Sequence, residues 1–159
     1  MLDGPLDGSI FGKGQPCFGC GPDHPIGFHL TFVREGDEVV TRFTPKDRYQ
    51  GPPGVMHGGL VMTLVDELAA WVPIALKEKF AFTTHFDGRL KTPVRIGQEL
   101  VGRARLTRDT PRVVKVAVTL TQNEVLAFEG EVTFVLLDQG GAERLLGGPL
   151  PEAWKRFAR

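Results

Sequence analysis

From Gly58 to about Lys77 the chain carries apolar residues on almost every side of a helical wheel: Leu60, Val61, Met62, Leu64, Val65, Leu68, Ala69, Trp71, Val72, Ile74, Ala75 and Leu76. A helix apolar all round is a buried helix. At about 1.5 Å per residue it is long enough to cross a small domain. Pro73 lacks an N–H and clashes with the preceding turn, so a kink or a loosened last turn is expected there. Elsewhere the apolar period is two. Phe28 to Arg34 and Glu38 to Phe43, joined at Glu35-Gly36-Asp37, read as a hairpin. Thr83 to Lys91, Gln98 to Thr107, Val113 to Thr121 and Val125 to Leu137 read as four more strands. Their short connections make neighbours antiparallel. The order ββαββββ predicts an α+β domain in which an antiparallel sheet wraps around one long central helix.

Residues 1–27 hold seven Gly and four Pro, too many for regular structure, and are expected to form an extended arm lying on a domain of residues 28–140. Residues 141–159 read as a tail, with one or two short helical turns at Pro151 to Arg159. The chain of 159 residues fits one domain. With no apolar run of about 18 uncharged residues, no membrane span is expected. Met1-Leu2-Asp3-Gly4-Pro5 lacks the features of a secretory signal, so the expected location is the cytoplasm.

Lys plus Arg and Asp plus Glu balance at 19 each, so there is no global basic field for nucleic acid. The charge is nevertheless uneven. Between Asp87 and Val116 eight basic residues face three acids, and Arg89, Lys91, Arg103 and Arg105 are candidates to grip a small phosphorylated ligand. Solvent-facing strand positions are the alternative. Cys17 and Cys20 form a single Cys-x-x-Cys. A zinc site would need further ligands, for which His24 and His29 stand close in sequence. Structural thiols and no metal are the preferred reading.

Asp66 and Glu67 sit in the middle of the helix that must be buried, where carboxylates are rare unless paired or functional. Either they reach a wet edge or a strand arginine, or one is a general base or nucleophile tuned by its surroundings. At the helix start, His57-Gly58-Gly59 offers N–H groups with no intrahelical partner and the positive end of the helix dipole, suited to a developing oxyanion. His57 itself reads as either an acid/base or a cap. Gly59 to Asp66 spans about 10 Å along the axis, too far for one subunit to bring both to one reacting centre. Two chains related by a two-fold axis could share them.

Tyr49 to Gly59, ending in His57-Gly58-Gly59, with Asp66 nine residues after the histidine, resembles the PaaI-like branch of the hotdog thioesterase superfamily. Cys17-Phe18-Gly19-Cys20-Gly21-Pro22, Pro25, Gly27 and Thr83 extend the likeness to the subgroup of thioesterase superfamily member four. The resemblance implies a hotdog fold and hydrolysis of an acyl-CoA. Gly58 and Gly59 would polarise the thioester carbonyl, the partner chain's Asp66 would act as base or nucleophile, and Thr83 would position the water. No cofactor is implied beyond the CoA of the substrate, and the expected assembly is a homodimer or homotetramer. Two positions depart from the wider pattern: Gly51 stands where many members carry asparagine, and so does His24. The dehydratase sequences Asp-x-x-x-x-His and His-Phe-Pro-Gly are absent. A non-catalytic acyl-CoA sensor is the remaining alternative.

Overall fold

The computed structural model describes residues 1–159 as one six-stranded antiparallel sheet curved around a long helix. The strands are β1 (Val33–Glu35), β2 (Glu38–Phe43), β3 (Ala81–Leu90), β4 (Leu100–Asp109), β5 (Val113–Gln122) and β6 (Val125–Leu136). They lie in the order β1-β2-β4-β5-β6-β3, so β3, the strand that follows the helix, forms an edge. The helix α1 (Gly58–Lys77) buries ten residues, with Leu64, Val65, Leu68, Ala69, Trp71, Val72 and Ala75 fully enclosed. With a mean hydropathy of 1.6 over an 18-residue stretch of its 20 residues, α1 is long and apolar enough to cross a membrane, yet here it is the core of the domain.

The α+β architecture is as the periodicity predicts and has the hotdog arrangement that the resemblance implies, with four differences of detail, the first being that β3 and β4, expected as neighbours from their short link, pair with β6 and β2 instead. The helix continues through Pro73 to Lys77, lacking only the backbone bond that a proline cannot donate; the proline is buried, and Glu78 closes the helix in a left-handed conformation at φ 52°. The first strand is only Val33–Glu35. Phe28, Leu30 and Phe32 do alternate into the core, but His29 sits at φ 54° and the backbone bonds of this stretch go to the arm: Phe28 to Phe18, Leu30 to Gly19, and Phe32 to Leu6 in both directions. After β6 the chain forms α2 (Gln139–Leu146), an unexpected helix, and then a 3-10 helix (Glu152–Ala158) where the short helical turns are expected. α2 begins just before residue 140.

Arm and tail share the main core. Trp71 stacks on Phe32 with centroids 4.7 Å apart and meets Phe11 of the arm edge-on at 5.9 Å. Phe11 in turn packs on Phe157 and Trp154, whose indole N–H donates to the Phe11 carbonyl at 3.0 Å. Such a cluster of large rings stabilises by burial and edge-to-face geometry together, and truncating a buried Trp costs about 3–5 kcal/mol. The arm thereby covers the side of α1 that the sheet leaves open.

Candidate active site

The half-buried residues of α1 recur as Gly58, Leu60, Met62, Thr63, Asp66, Glu67 and Ala70, a stripe that the sheet does not fully cover. Asp66 and Glu67 leave this stripe in different directions because neighbouring helical positions are about 100° apart. Neither meets an arginine. Asp66 turns towards β3, where the Thr83 hydroxyl donates to its Oδ1 at 2.7 Å. Burial pushes the Asp66 carboxyl above its ordinary range, and the Thr83 bond draws it part of the way back.

A β-bulge aims Thr83. Pairing between β3 and β6 slips between Thr83 and His85, so Thr83 faces Phe134 and Phe86 faces Val132, although they are three residues apart. Both side chains therefore point to the helix, which strict alternation forbids; an extra residue in one strand is how sheets re-aim a side chain.

At the other end of the helix His57 is the N-cap. Its Nδ1 accepts from the Gly59 N–H at 3.0 Å, which makes the neutral Nε2–H tautomer the one that fits. The Gly59 N–H is thus committed to the cap, while the Gly58 N–H has no partner within the chain. Gly58 opens on a groove of about 320 Å³ lined by Pro52, Val55, Val61, Leu90, Thr92 and Val94. A Cβ on Gly58 would lie 3.6 Å from Leu90 Cδ1, so this donor borders the far end of β3. A larger groove of about 440 Å³, between Lys79, Arg112 and Arg144, contains none of the candidate groups.

Sheet order divides the basic residues. Arg89 and Lys91 are at the end of β3, whereas Arg103 and Arg105 are on β4, with β5 and β6 between. Lys91 pairs with Glu129 at 3.1 Å, and Arg103 is shared between Glu35 and Glu38 at 3.0 and 3.1 Å. Four residues close in sequence are not one patch.

Glu67 turns to the arm. Its Oε1 accepts from the Trp71 indole at 3.2 Å, and its two oxygens lie 3.4 and 3.5 Å from Cys17 Sγ. Burial pushes Glu67 up to about 7, and the Cys20 side chain, against the opposing effect of burial, holds the Cys17 thiol below its ordinary value. Nothing in the sequence signals this contact across 50 positions, apart from two cysteines and a helix carboxylate each wanting a partner.

Residues 53–127 match the thioesterase superfamily. The fold is similar to a Streptococcus mutans UA159 protein, smu.793, solved bound to acetyl-CoA, with a TM-score of 0.63, 22% identity, and coverage of 67% of this chain and 87% of that one. It is also similar to zebra fish thioesterase superfamily member 2, with a TM-score of 0.65, 18% identity, and coverage of 72% and 89%. A curated relative, methylthioribose-1-phosphate isomerase of Aquifex aeolicus (strain VF5), is 27% identical over 105 residues; the match covers 66% of this chain and only 22% of that protein. Residues 53–127 are thus similar to the thioesterase superfamily, and the fold is the hotdog fold of solved thioesterase superfamily structures.

Proposed function

We propose that this chain hydrolyses acyl-CoA thioesters in sites shared between two subunits. The observation that carries the reading is the Thr83 hydroxyl holding Asp66 Oδ1, which leaves Oδ2 to take a proton. Asp66 acts as general base: it removes a proton from water, and the oxygen attacks the thioester carbonyl carbon. The resulting oxyanion is held by the free N–H of Gly58 at the positive end of α1. Collapse expels the CoA sulfur as thiolate and leaves the free acid. His57 shapes the helix start through its bond to Gly59. The acetyl-CoA bound to the Streptococcus mutans relative supports CoA as the carrier.

Sharing follows from two features of β3. It is a ten-residue edge strand with Phe82 and Leu90 each 47% exposed, and a long edge with free backbone groups is a template for pairing. Antiparallel pairing about its middle brings the Leu90 end of one chain, next to Gly58, to the Thr83 end of the other. The Gly58 donor then faces the partner subunit's Asp66, removing the separation of about 10 Å along one helix. A panel of acyl-CoAs, assayed for released thiol, tests the reading. Turnover of at least one acyl-CoA supports it, and binding without thiol release would instead make the protein an acyl-CoA sensor.

A further inference from the structure

The groups that the proposed hydrolysis leaves unused are gathered between the arm and the helix. Cys17 Sγ, Cys20 Sγ and a Glu67 carboxylate oxygen all lie within 4.8 Å of one another. Glu67 is a largely enclosed carboxylate with no salt bridge to any lysine, arginine or histidine; its partners are an indole N–H and a thiol. A carboxyl so placed either keeps its proton or, as an anion, calls for a positive charge beside it. The cysteine turn is shaped to present sulfur. The Cys20 N–H points at Cys17 Sγ at 3.4 Å, and the chain reverses through a Gly21 N–H to Cys17 carbonyl bond of 2.9 Å. Gly19 allows close approach: a Cβ on it would lie 2.5 Å from Glu67 Cδ, so a larger residue would push the carboxylate away from the turn.

We infer that Cys17, Cys20 and Glu67 form a binding site for a divalent zinc-type ion that staples the arm to α1. In a tetrahedral zinc site with metal–sulfur bonds of about 2.3 Å and metal–oxygen bonds of about 2.0–2.2 Å, donor atoms stand roughly 3.3–3.8 Å apart. The Cys17–Glu67 separations of 3.4 and 3.5 Å already meet this spacing. Two thiolates favour zinc over magnesium or calcium. Binding releases the protons that the two thiols and the carboxyl still carry to solvent, and the thiolates and the carboxylate together outweigh the charge of the ion by one. Cys17, Cys20 and Glu67 all line one cavity of about 140 Å³, beside Trp71 and Trp154, with room for a water as fourth ligand. His24 and His29 do not take part: His29 Nε2 bonds the His24 carbonyl, and His24 Nδ1 accepts from the Ile26 N–H at 3.3 Å. The third ligand is a residue that no Cys/His spacing rule would select.

The site is tested on the full chain, independently of any thioesterase activity. Protein purified without chelator from zinc-supplemented cells should carry about one zinc per chain by elemental analysis, as a folding-coupled site does. Replacing that zinc with cobalt should give thiolate-to-cobalt charge transfer and tetrahedral d–d bands. Cys17→Ser and Cys20→Ser should lose both signals, Glu67→Gln should weaken retention, and Asp66→Asn, one residue away, should keep them. A strong chelator should lower the Tm of the unmodified protein but not of the doubly substituted Cys17→Ser/Cys20→Ser chain, whose fold is checked by circular dichroism. Three results would each overturn the inference: zinc below about a tenth of an equivalent with no cobalt bands, a Cys17–Cys20 disulfide found by mass in place of metal, or unchanged metal in the doubly substituted chain.

Discussion

Thr83 donates its hydroxyl to Asp66 at 2.7 Å, so an edge strand fixes a carboxylate in the middle of the core helix. Asp66→Asn keeps the size of the side chain and its ability to accept from Thr83, but cannot take a proton from water. The expected kcat on a turned-over acyl-CoA falls by at least about a hundredfold, the usual scale for a lost acid/base group, with KM little changed. Thiol-release kinetics check this. Glu67→Gln is the comparison, since Glu67 points away from Thr83; it should retain most of the activity.

The direction of the Asp66 shift makes a pH prediction with a definite sign. Its folded-state pKa is raised by burial, so the base form is reached only above the ordinary carboxylate range, and kcat should climb with pH through a limb displaced upward. Thr83→Val removes the bond that lowers this pKa and should move the limb further up. It should also reduce kcat by about tenfold to a hundredfold, as expected for a hydrogen bond to a charged group of about 1.5–3 kcal/mol. Thr83→Ser should restore both. On stability, a raised folded pKa means that the folded state keeps its proton longer, so Asp66 destabilises as pH rises through the shifted value. The stability gained by Asp66→Asn should therefore appear at neutral pH and vanish below the ordinary carboxylate range. Denaturation at several pH values measures it.

The basic residues separate into pairs with different expected outcomes. Arg89→Ala, on the strand that borders the Gly58 groove, should raise KM more than it lowers kcat, and more at low salt, where exposed charges are least screened. Arg103→Ala should leave KM unchanged, because Glu35 and Glu38 already hold that guanidinium three strands from β3. Equal effects at both positions would mean that a ligand spans the sheet and would remove the distinction.

Period and turn chemistry made the helix and the succession of strands along the chain legible, because α1 is apolar on every side and the strands carry period-two stretches. The order in the sheet was not legible, since β3 pairs with β6 rather than with β4 across the short link of residues 93–97. The His57 to Asp66 spacing likewise marked the two ends of the site. Three features depended on contacts far apart in sequence. The bulge that turns Thr83 inward has no local signature in Thr83-Thr84-His85. The loss of strand pairing before Val33 follows from His29 adopting a positive φ while the arm supplies the partners. Glu67 and Asp66 were equivalent as residues in a helix; only the packing of Gly19 and Cys17 on one, and Thr83 on the other, gives them different surroundings.

The shared site has a direct test in Gly58. It is the first residue of α1, where proline is tolerated because its missing N–H has no helical partner, and His57 before it is already extended at φ −57° and ψ 130°. Gly58→Pro therefore removes the proposed oxyanion donor while keeping the helix, and kcat should fall by about a hundredfold to a thousandfold. Mixing it with Asp66→Asn then asks whether donor and base come from different chains. If they do, half of a randomly assembled mixture is hybrid dimer and each hybrid has one site with both groups intact. Two nearly inactive proteins, unfolded and refolded together, should then recover about a quarter of the unmodified activity. If donor and base act within one chain, every site in every hybrid carries a lesion and the mixture stays inactive. The same preparation, followed by sedimentation, should contain dimers or larger assemblies; recovered activity in a monomer would contradict pairing through β3.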